Sequence, residues 1–390
     1  MPLKPSQILQ QLQAKREDFS NFDEETSRLL EMYRSALTKA MKLDDGTIRQ
    51  KLQTIGDCGA TPTGALTDKS WILPFGMTWS TREESLNWVR QKLLGISTFA
   101  VDGSQIYPGK ELSIPVALVQ IGWYENLHVP GGEYIKDIAT DVLTPNDLRT
   151  EKGEMADRKV NLRRFQMETE RIITYFEEHR GSDTALAFFD GSLVVSFAEV
   201  FEEETRMGYV NAMNRLLEAS EHFQVPVVGY IDTSAARDLT TMVRHLYRLP
   251  EAPTIHDAQL LQWVEKGRMQ WGDCLELFQC QRSGILAKYS AKARPIVFTY
   301  LKTNREALPA RLEFPKWVLD KGRMPQVLDW VRSEVVIGSG YPYVIETADQ
   351  VAVVSNSDRQ MFFKILQDWA DGESLSIRLA RKVVSKMRRR

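Results

Sequence analysis

Between residues 95 and 235 the chain alternates short apolar runs with long amphipathic stretches, the rhythm of an α/β sheet with covering helices. Residues 96–101 (ISTFAV) form a β-leaning run that ends at Asp102-Gly103-Ser104. Residues 114–123 (IPVALVQIGW) predict a second strand and residues 133–138 a weaker third. Residues 153–179 space Leu162, Phe165, Thr169, Ile172, Ile173 and Phe176 along one stripe, which predicts a long helix. The wholly apolar run 185–189 (ALAFF) then predicts a buried strand, and it ends at a second triplet, Asp190-Gly191-Ser192. A helix over about 196–222, a strand over 225–231 and a helix with Leu239, Met242 and Leu246 on its stripe complete the series. Asp232-Thr233-Ser234 reads as the N-cap of that last helix.

Outside this stretch the pattern is plainer. Helical spacing over residues 6–55 predicts two amphipathic helices. The Gly-, Pro- and Thr-rich residues 56–80 read as loop, and Ser80 with Glu83 makes a capping box for a helix reaching Leu94. Beyond 250 a strand at 296–301, a helix at 326–335 and a helix from about 345 after Gly338-Ser339-Gly340-Tyr341-Pro342 are legible. The expected organisation is an N-terminal helical region (1–94), a mixed-sheet α/β domain (95–360) with an unassigned stretch at 250–330, and a C-terminal helix with basic tail (361–390).

Composition changes this picture little. A net charge of −2 over 390 residues exerts no global pull on polyanions, so contacts to one must come from local basic patches or bound cations. Three cysteines, Cys58, Cys274 and Cys280, form no C-x-x-C pair and read as reduced thiols of a cytoplasmic protein. The first twenty residues lack a signal-peptide core, and no apolar run approaches the roughly 18–20 residues a membrane span needs.

The chemistry concentrates in the two triplets. A carboxylate placed just after a buried strand is held rigidly at the sheet edge, and the glycine behind it admits a close neighbour. Two such carboxylates suit a hard divalent cation, and two cations roughly 4 Å apart stabilise both oxygens of an in-line phosphoryl displacement. The plainer reading is that each aspartate caps its own turn; two copies in the same context weigh against it. Rival motifs fail on inspection. Haloacid-dehalogenase chemistry needs a nucleophilic Asp where Ala100 and Phe188 stand, and actin-like kinases separate Asp from Gly by one residue. No Walker A loop, H-E-x-x-H or G-x-S-x-G occurs.

The order strand–Asp102-Gly103-Ser104, strand pair, helix with Arg164-x-x-x-Glu168, strand–Asp190-Gly191-Ser192-Leu193, then Gly340-Tyr341-Pro342 and Ala348-Asp349, resembles the NurA nuclease family over roughly residues 95–360. The resemblance implies an RNase H-like core and Mn2+-dependent DNA cleavage of 5′–3′ exonuclease character. It also implies a homodimer, and a hexameric HerA-like ATPase as partner in end resection at double-strand breaks. It carries over Asp102 and Asp190 as strand ligands, Glu168 as the helical ligand with Glu170 as runner-up, and Asp349 as the late ligand with Glu346 as substitute. Together they would hold two Mn2+ or Mg2+ ions. Asp232 stands where relatives are expected to carry Lys.

DNA reaching an acidic centre needs cationic flanks. Arg164, Arg163, Lys159 and Arg158 near the catalytic helix, and Arg282, Lys288, Lys292 and Arg294 farther on, are candidates, with Tyr107 as a stacking residue. Trp71, Trp79 and Trp88 are candidates for a dimer contact, and the basic tail 381–390 for DNA. Two other readings stand beside the nuclease: a non-catalytic scaffold for a translocase, and a small-molecule phosphatase with a closed pocket.

Overall fold

A computed structural model describes residues 3–64, 71–109, 112–149, 157–264, 269–375 and 377. The basic tail at 381–390 lies outside the described residues. In chain order, α1 (Pro5–Ala14), α2 (Arg16–Ala40) and α3 (Asp45–Leu52) precede β1 (Gly59–Pro62), β2 (Ile72–Leu73) and α4 (Arg82–Leu93). Next come β3 (Ser97–Ile106), β4 (Ala117–Asn126), β5 (Tyr134–Leu143), α5 (Asp157–Glu178), β6 (Ala185–Asp190), α6 (Glu203–Phe223) and β7 (Val227–Ile231). The chain continues through α7 (Asp238–Tyr247), α8 (Asp257–Val264), β8 (Cys274–Leu275), β9 (Phe278–Gln281), β10 (Ile296–Leu301) and β11 (Ala310–Pro315). It closes with α9 (Lys316–Asp320), α10 (Met324–Ile337), α11 (Tyr343–Ala352) and α12 (Asn356–Gly372).

Two compact units form, each from non-contiguous segments. One joins Met1–Gly76, Asp232–Ser283 and Val297–Arg311; the other joins Met77–Ile231, Gly284–Ile296 and Leu312–Arg390. The stretch 250–330 is thus divided between both.

In the first unit β1, β9 and β10 pair antiparallel, and β8 joins β10 to β2. Helix α2 buries Tyr33, Ala36, Leu37 and Ala40, a 3–4 spacing that puts one face inward, whereas α1 buries nothing. Its ionic core is unusual. Arg311, 1 % exposed, pairs with Asp238 at 3.0 Å and lies 3.8 Å over the Phe298 ring. Arg282 grips the same Asp238 at 2.6 Å, and both guanidinium charges hold that carboxyl far below the usual range against the cost of burial.

The second unit carries the sheet order β11-β7-β6-β3-β4-β5. Strand β3 is parallel to β6 and antiparallel to β4, β4 is antiparallel to β5, and β6 is parallel to β7. This is the mixed α/β sheet expected, in the strand order of an RNase H-like core. Phe99, Phe176 and Phe188 are wholly buried in it, and Phe99 stacks on Tyr175 of α5 at 4.5 Å.

Several expectations are corrected. Residues 6–55 form three helices, broken where Lys15 leaves helical geometry and again before the Asp44 cap, and residues 56–80 contain two short strands. The α4 cap is Thr81, which accepts from Glu84 N–H; Glu84 rather than Glu83 reaches back, to Ser80 N–H. A 3-10 turn (Ser196–Val200) precedes α6, so that helix begins at Glu203. Asp232 caps no helix. The first amides of α7, Leu239 and Thr240, donate to the distant Asp257 carboxylate instead. Most consequential, β3 does not stop at Asp102: it runs on through the triplet, pairing Asp102 with Gly122 and Gly103 with Ile121. Only the parallel pairing with β6 ends earlier, at Ala100 with Phe188.

Candidate active site

The site is assembled where the parallel pairing of β3 with β6 ends. Because side chains alternate along a strand and register partners share a face, Asp102 and Gly122 point one way and Gly103 the other. On the Gly103 face lies α5. A Cβ at Gly103 would stand 2.6 Å from both the Arg164 side chain and Glu168 Oε1, so only glycine lets the helix come this close. On the Asp102 face lies the end of α11. A Cβ at Gly122 would stand 2.6 Å from the Ala352 backbone nitrogen. Ser104 Oγ and Gln120 Nε2 both donate to the Ala352 carbonyl, at 2.5 and 3.1 Å, and clip α11 to the two strands. Asp349 on that helix is thereby brought against Asp102.

Electrostatics record the convergence. The Asp102 carboxyl is pushed up to about 6, first by burial and then by the Asp349 carboxyl bonded to it, while the Gly103 amide and Arg164 oppose the rise. Glu168, 8 % exposed, is pushed up to about 8 by burial, then by the charges of Asp102 and Asp190, with Arg164 opposing. Its Oε1 is buried and accepts no hydrogen bond among the described residues; Arg164 Nε lies 3.6 Å away while Arg164 Nη1 donates to Gly103 O at 2.9 Å. Asp190 is exposed at the end of β6 and accepts from Tyr341 Oη at 3.1 Å.

Asp102 is thus bonded to Asp349, and Glu168 feels the charges of Asp102 and Asp190. Asp102 and Asp349 approach from one face and Glu168 from the other, and among the described residues no three His, Cys, Asp or Glu side chains yet close around one point. The donor set nonetheless fits a hard divalent cation: every donor is a carboxylate oxygen, one is buried without an acceptor role, and two are held above their usual range by burial and neighbouring carboxyls. Of the runners-up, Glu170 pairs with Arg163 and Arg215, and Glu346 is exposed on α11, as Asp349 is.

The cationic candidates fare unevenly. Lys159 is paired with Glu204, Arg158 with Glu202 at 2.7 Å, Arg163 with Asp141 at 2.6 Å and Lys288 with Glu203 at 3.4 Å. Arg294 donates to the Ala287 and Tyr289 carbonyls, and Lys292 borders a cavity of about 460 Å³ beside α5 and α6. Arg282 is committed to Asp238 in the other unit. Tyr107 is half-buried and donates to Asn161 at 2.6 Å. Trp71 and Trp88, expected at a dimer surface, are core residues at 2 and 6 % exposure; Trp79 packs on Trp88.

Sequence reading passed over two buried acids. Glu334 of α10 accepts from Thr98 Oγ1 at 2.7 Å and from the Val344 amide at the start of α11, fixing the helix that bears Asp349. Glu313 of β11 accepts from Ser192 and the Leu193 amide.

The sheet order and its covering helices define a mixed α/β protein. A family model described as the NurA domain matches residues 96–354, and the chain belongs to the NurA family. Similar solved structures include NurA with manganese (9 % identity, 75 % of this chain and 94 % of that chain, TM-score 0.42). Others are NurA bound to dAMP and manganese (11 %, 70 % and 89 %, 0.34) and the catalytic domain of human endonuclease V (11 %, 73 % and 96 %, 0.34). No curated protein matches the chain. Among the described residues no helix is long and apolar enough to cross a membrane.

Proposed function

We propose that this NurA-family nuclease is a metal-dependent deoxyribonuclease that hydrolyses phosphodiesters with Asp102, Glu168, Asp190 and Asp349 as its cation ligands. The observation that carries the reading is the buried Glu168 carboxyl, raised by burial and by the nearby Asp102 and Asp190, beside an Asp102 carboxyl bonded to Asp349. Such a group is costly to a fold unless a cation offsets it. A bound pair of Mn2+ or Mg2+ ions supplies the Lewis-acid stabilisation of attacking and leaving oxygens that in-line hydrolysis requires. The chain's own residues do the rest. Asp102 and Asp190, set on adjacent parallel strands, define the ligand spacing from rigid backbone. Arg164 bridges Gly103 O and Glu168 and keeps the helical acid turned to the sheet. Tyr341 orients Asp190 through its hydroxyl.

As the family resemblance implies, the reading extends to 5′–3′ exonuclease action in end resection, to a homodimer, and to a separate HerA-like hexameric ATPase. Of the DNA-contact candidates, Arg164, Arg163, Lys159 and Tyr107 line or flank α5, where a strand would approach the acids.

The test uses end-labelled single- and double-stranded DNA with purified protein in Mn2+, Mg2+ or EDTA. Metal-dependent degradation is expected, lost in a folded Asp102→Ala variant. Absence of metal-dependent degradation, or an Asp102→Ala variant with wild-type cleavage, overturns the reading.

A further inference from the structure

The second triplet contains a glycine and a serine that a cation would not use, and the structure shows what engages them. Asp190 ends β6, and Gly191 follows with φ of 135°, its amide donating to the Tyr230 carbonyl at 3.0 Å. The chain then passes over β7 at Gly229, where a Cβ would stand 2.8 Å from Gly191 O and 2.9 Å from Leu193 Cγ. Beyond that crossing lies Glu313 of β11, wholly buried. Its Oε2 accepts two hydrogen bonds, from Ser192 Oγ at 2.8 Å and from the Leu193 amide at 2.7 Å. Tyr289 secures the next residues, donating to Leu193 O at 2.8 Å and accepting from the Val195 amide at 3.0 Å.

We propose that Glu313 is a positioning residue for the cation site, anchoring the 191–193 turn across β7 so that the Asp190 carboxylate is held facing Glu168. The inference rests on the reading of Asp190 as a ligand. Asp190 is the last residue of the β6–β7 ladder, opposite Tyr230, so the turn that follows it sets the direction in which the chain leaves the ligand. A hydroxyl and an amide that converge on one carboxylate oxygen fix both the side chain and the backbone of the turn. That oxygen is reached through the gap that Gly229 leaves, and the two bonds set the turn in one place. Interactions of this outer kind orient metal ligands and typically change metal affinity 10–100-fold when removed. The same logic gives the triplet's serine its purpose: it is the side-chain half of the Glu313 clip, as Ser104 is the clip to Ala352 in the first triplet.

The experiment titrates Mn2+ into Glu313→Met, Glu313→Gln, Ser192→Ala and wild-type protein, reading free Mn2+ by electron paramagnetic resonance, with thermal melting in EDTA alongside. Glu313→Met, which keeps the volume and removes the acceptor, is expected to weaken Mn2+ binding about 10–100-fold. Glu313→Gln retains an acceptor oxygen and is expected to restore most of that loss. A folded Glu313→Met with wild-type Mn2+ affinity, whatever its melting temperature, overturns the proposal by leaving Glu313 a merely structural acid. Should Glu313→Met not fold, Ser192→Ala decides: a several-fold weaker affinity supports the clip, and unchanged affinity overturns it. Wild-type protein that binds no Mn2+ at all instead defeats the ligand reading, and this inference falls with it.

Discussion

Replacing Glu168 by glutamine should stabilise the metal-free protein while abolishing its cation site. Burial and the Asp102 and Asp190 charges raise the Glu168 carboxyl from 4.5 to about 8. An acid whose folded value lies above its unfolded value favours the unfolded state as pH rises, because the unfolded chain gives up its proton first. Below pH 4.5 both states are protonated and the cost vanishes. At pH 7 the unfolded group is ionised while the folded one still holds its proton. At 1.36 kcal/mol per pH unit above 4.5, this costs the fold about 3 kcal/mol, levelling off near 5 kcal/mol above pH 8. Glutamine does not titrate and escapes this cost. Urea denaturation in EDTA should show Glu168→Gln ahead of wild type by under about 1 kcal/mol near pH 5 and by several kcal/mol near pH 8. Adding Mn2+ should then stabilise wild type and leave the variant unmoved. A margin that is flat or shrinks between the two pH values would refute the burial argument. A variant that Mn2+ stabilises as it does wild type would refute the ligand role.

Three further outcomes follow from packing. Gly103→Ala forces a Cβ to within 2.6 Å of Glu168 Oε1 and the Arg164 side chain; thermal melting should show a loss of about 1–3 kcal/mol, with DNA cleavage largely lost. Arg311→Met strips a wholly buried partner from Asp238 and should cost about 3–5 kcal/mol in denaturant melts, while the matched double variant Arg311→Met/Asp238→Leu should recover part of it. Asp238 is held below the unfolded range by Arg282 and Arg311, so its contribution is present above the unfolded value of 3.8 and disappears as pH falls towards its folded one. The stability of Asp238→Asn relative to wild type should therefore converge as the pH of melting drops from about 6 to about 3.

Local pattern was enough to find most of this protein. The apolar runs ending at Asp102 and Asp190, the stripe of α5 and the loop before α11 each depend on residues near one another, and each forms close to where the sequence puts it. The mixed sheet followed from the order of those elements. What only tertiary structure decided is pairing between distant segments. Continuation of β3 through its triplet depends on nine-residue register with β4, where Gly122 meets Asp102, and no local signal reveals that partner. Whether Lys159 and Arg163 are open to DNA depended on Glu204 and Asp141, which lie 45 and 22 residues away in the chain. Asp190 was legible as a strand-end acid because alternation and turn chemistry are local, whereas Asp102 lies within β3. The serines of the two triplets gained a meaning only when folding brought Ala352 and Glu313 to them, since a hydroxyl's partner is chosen by the fold and not by its neighbours.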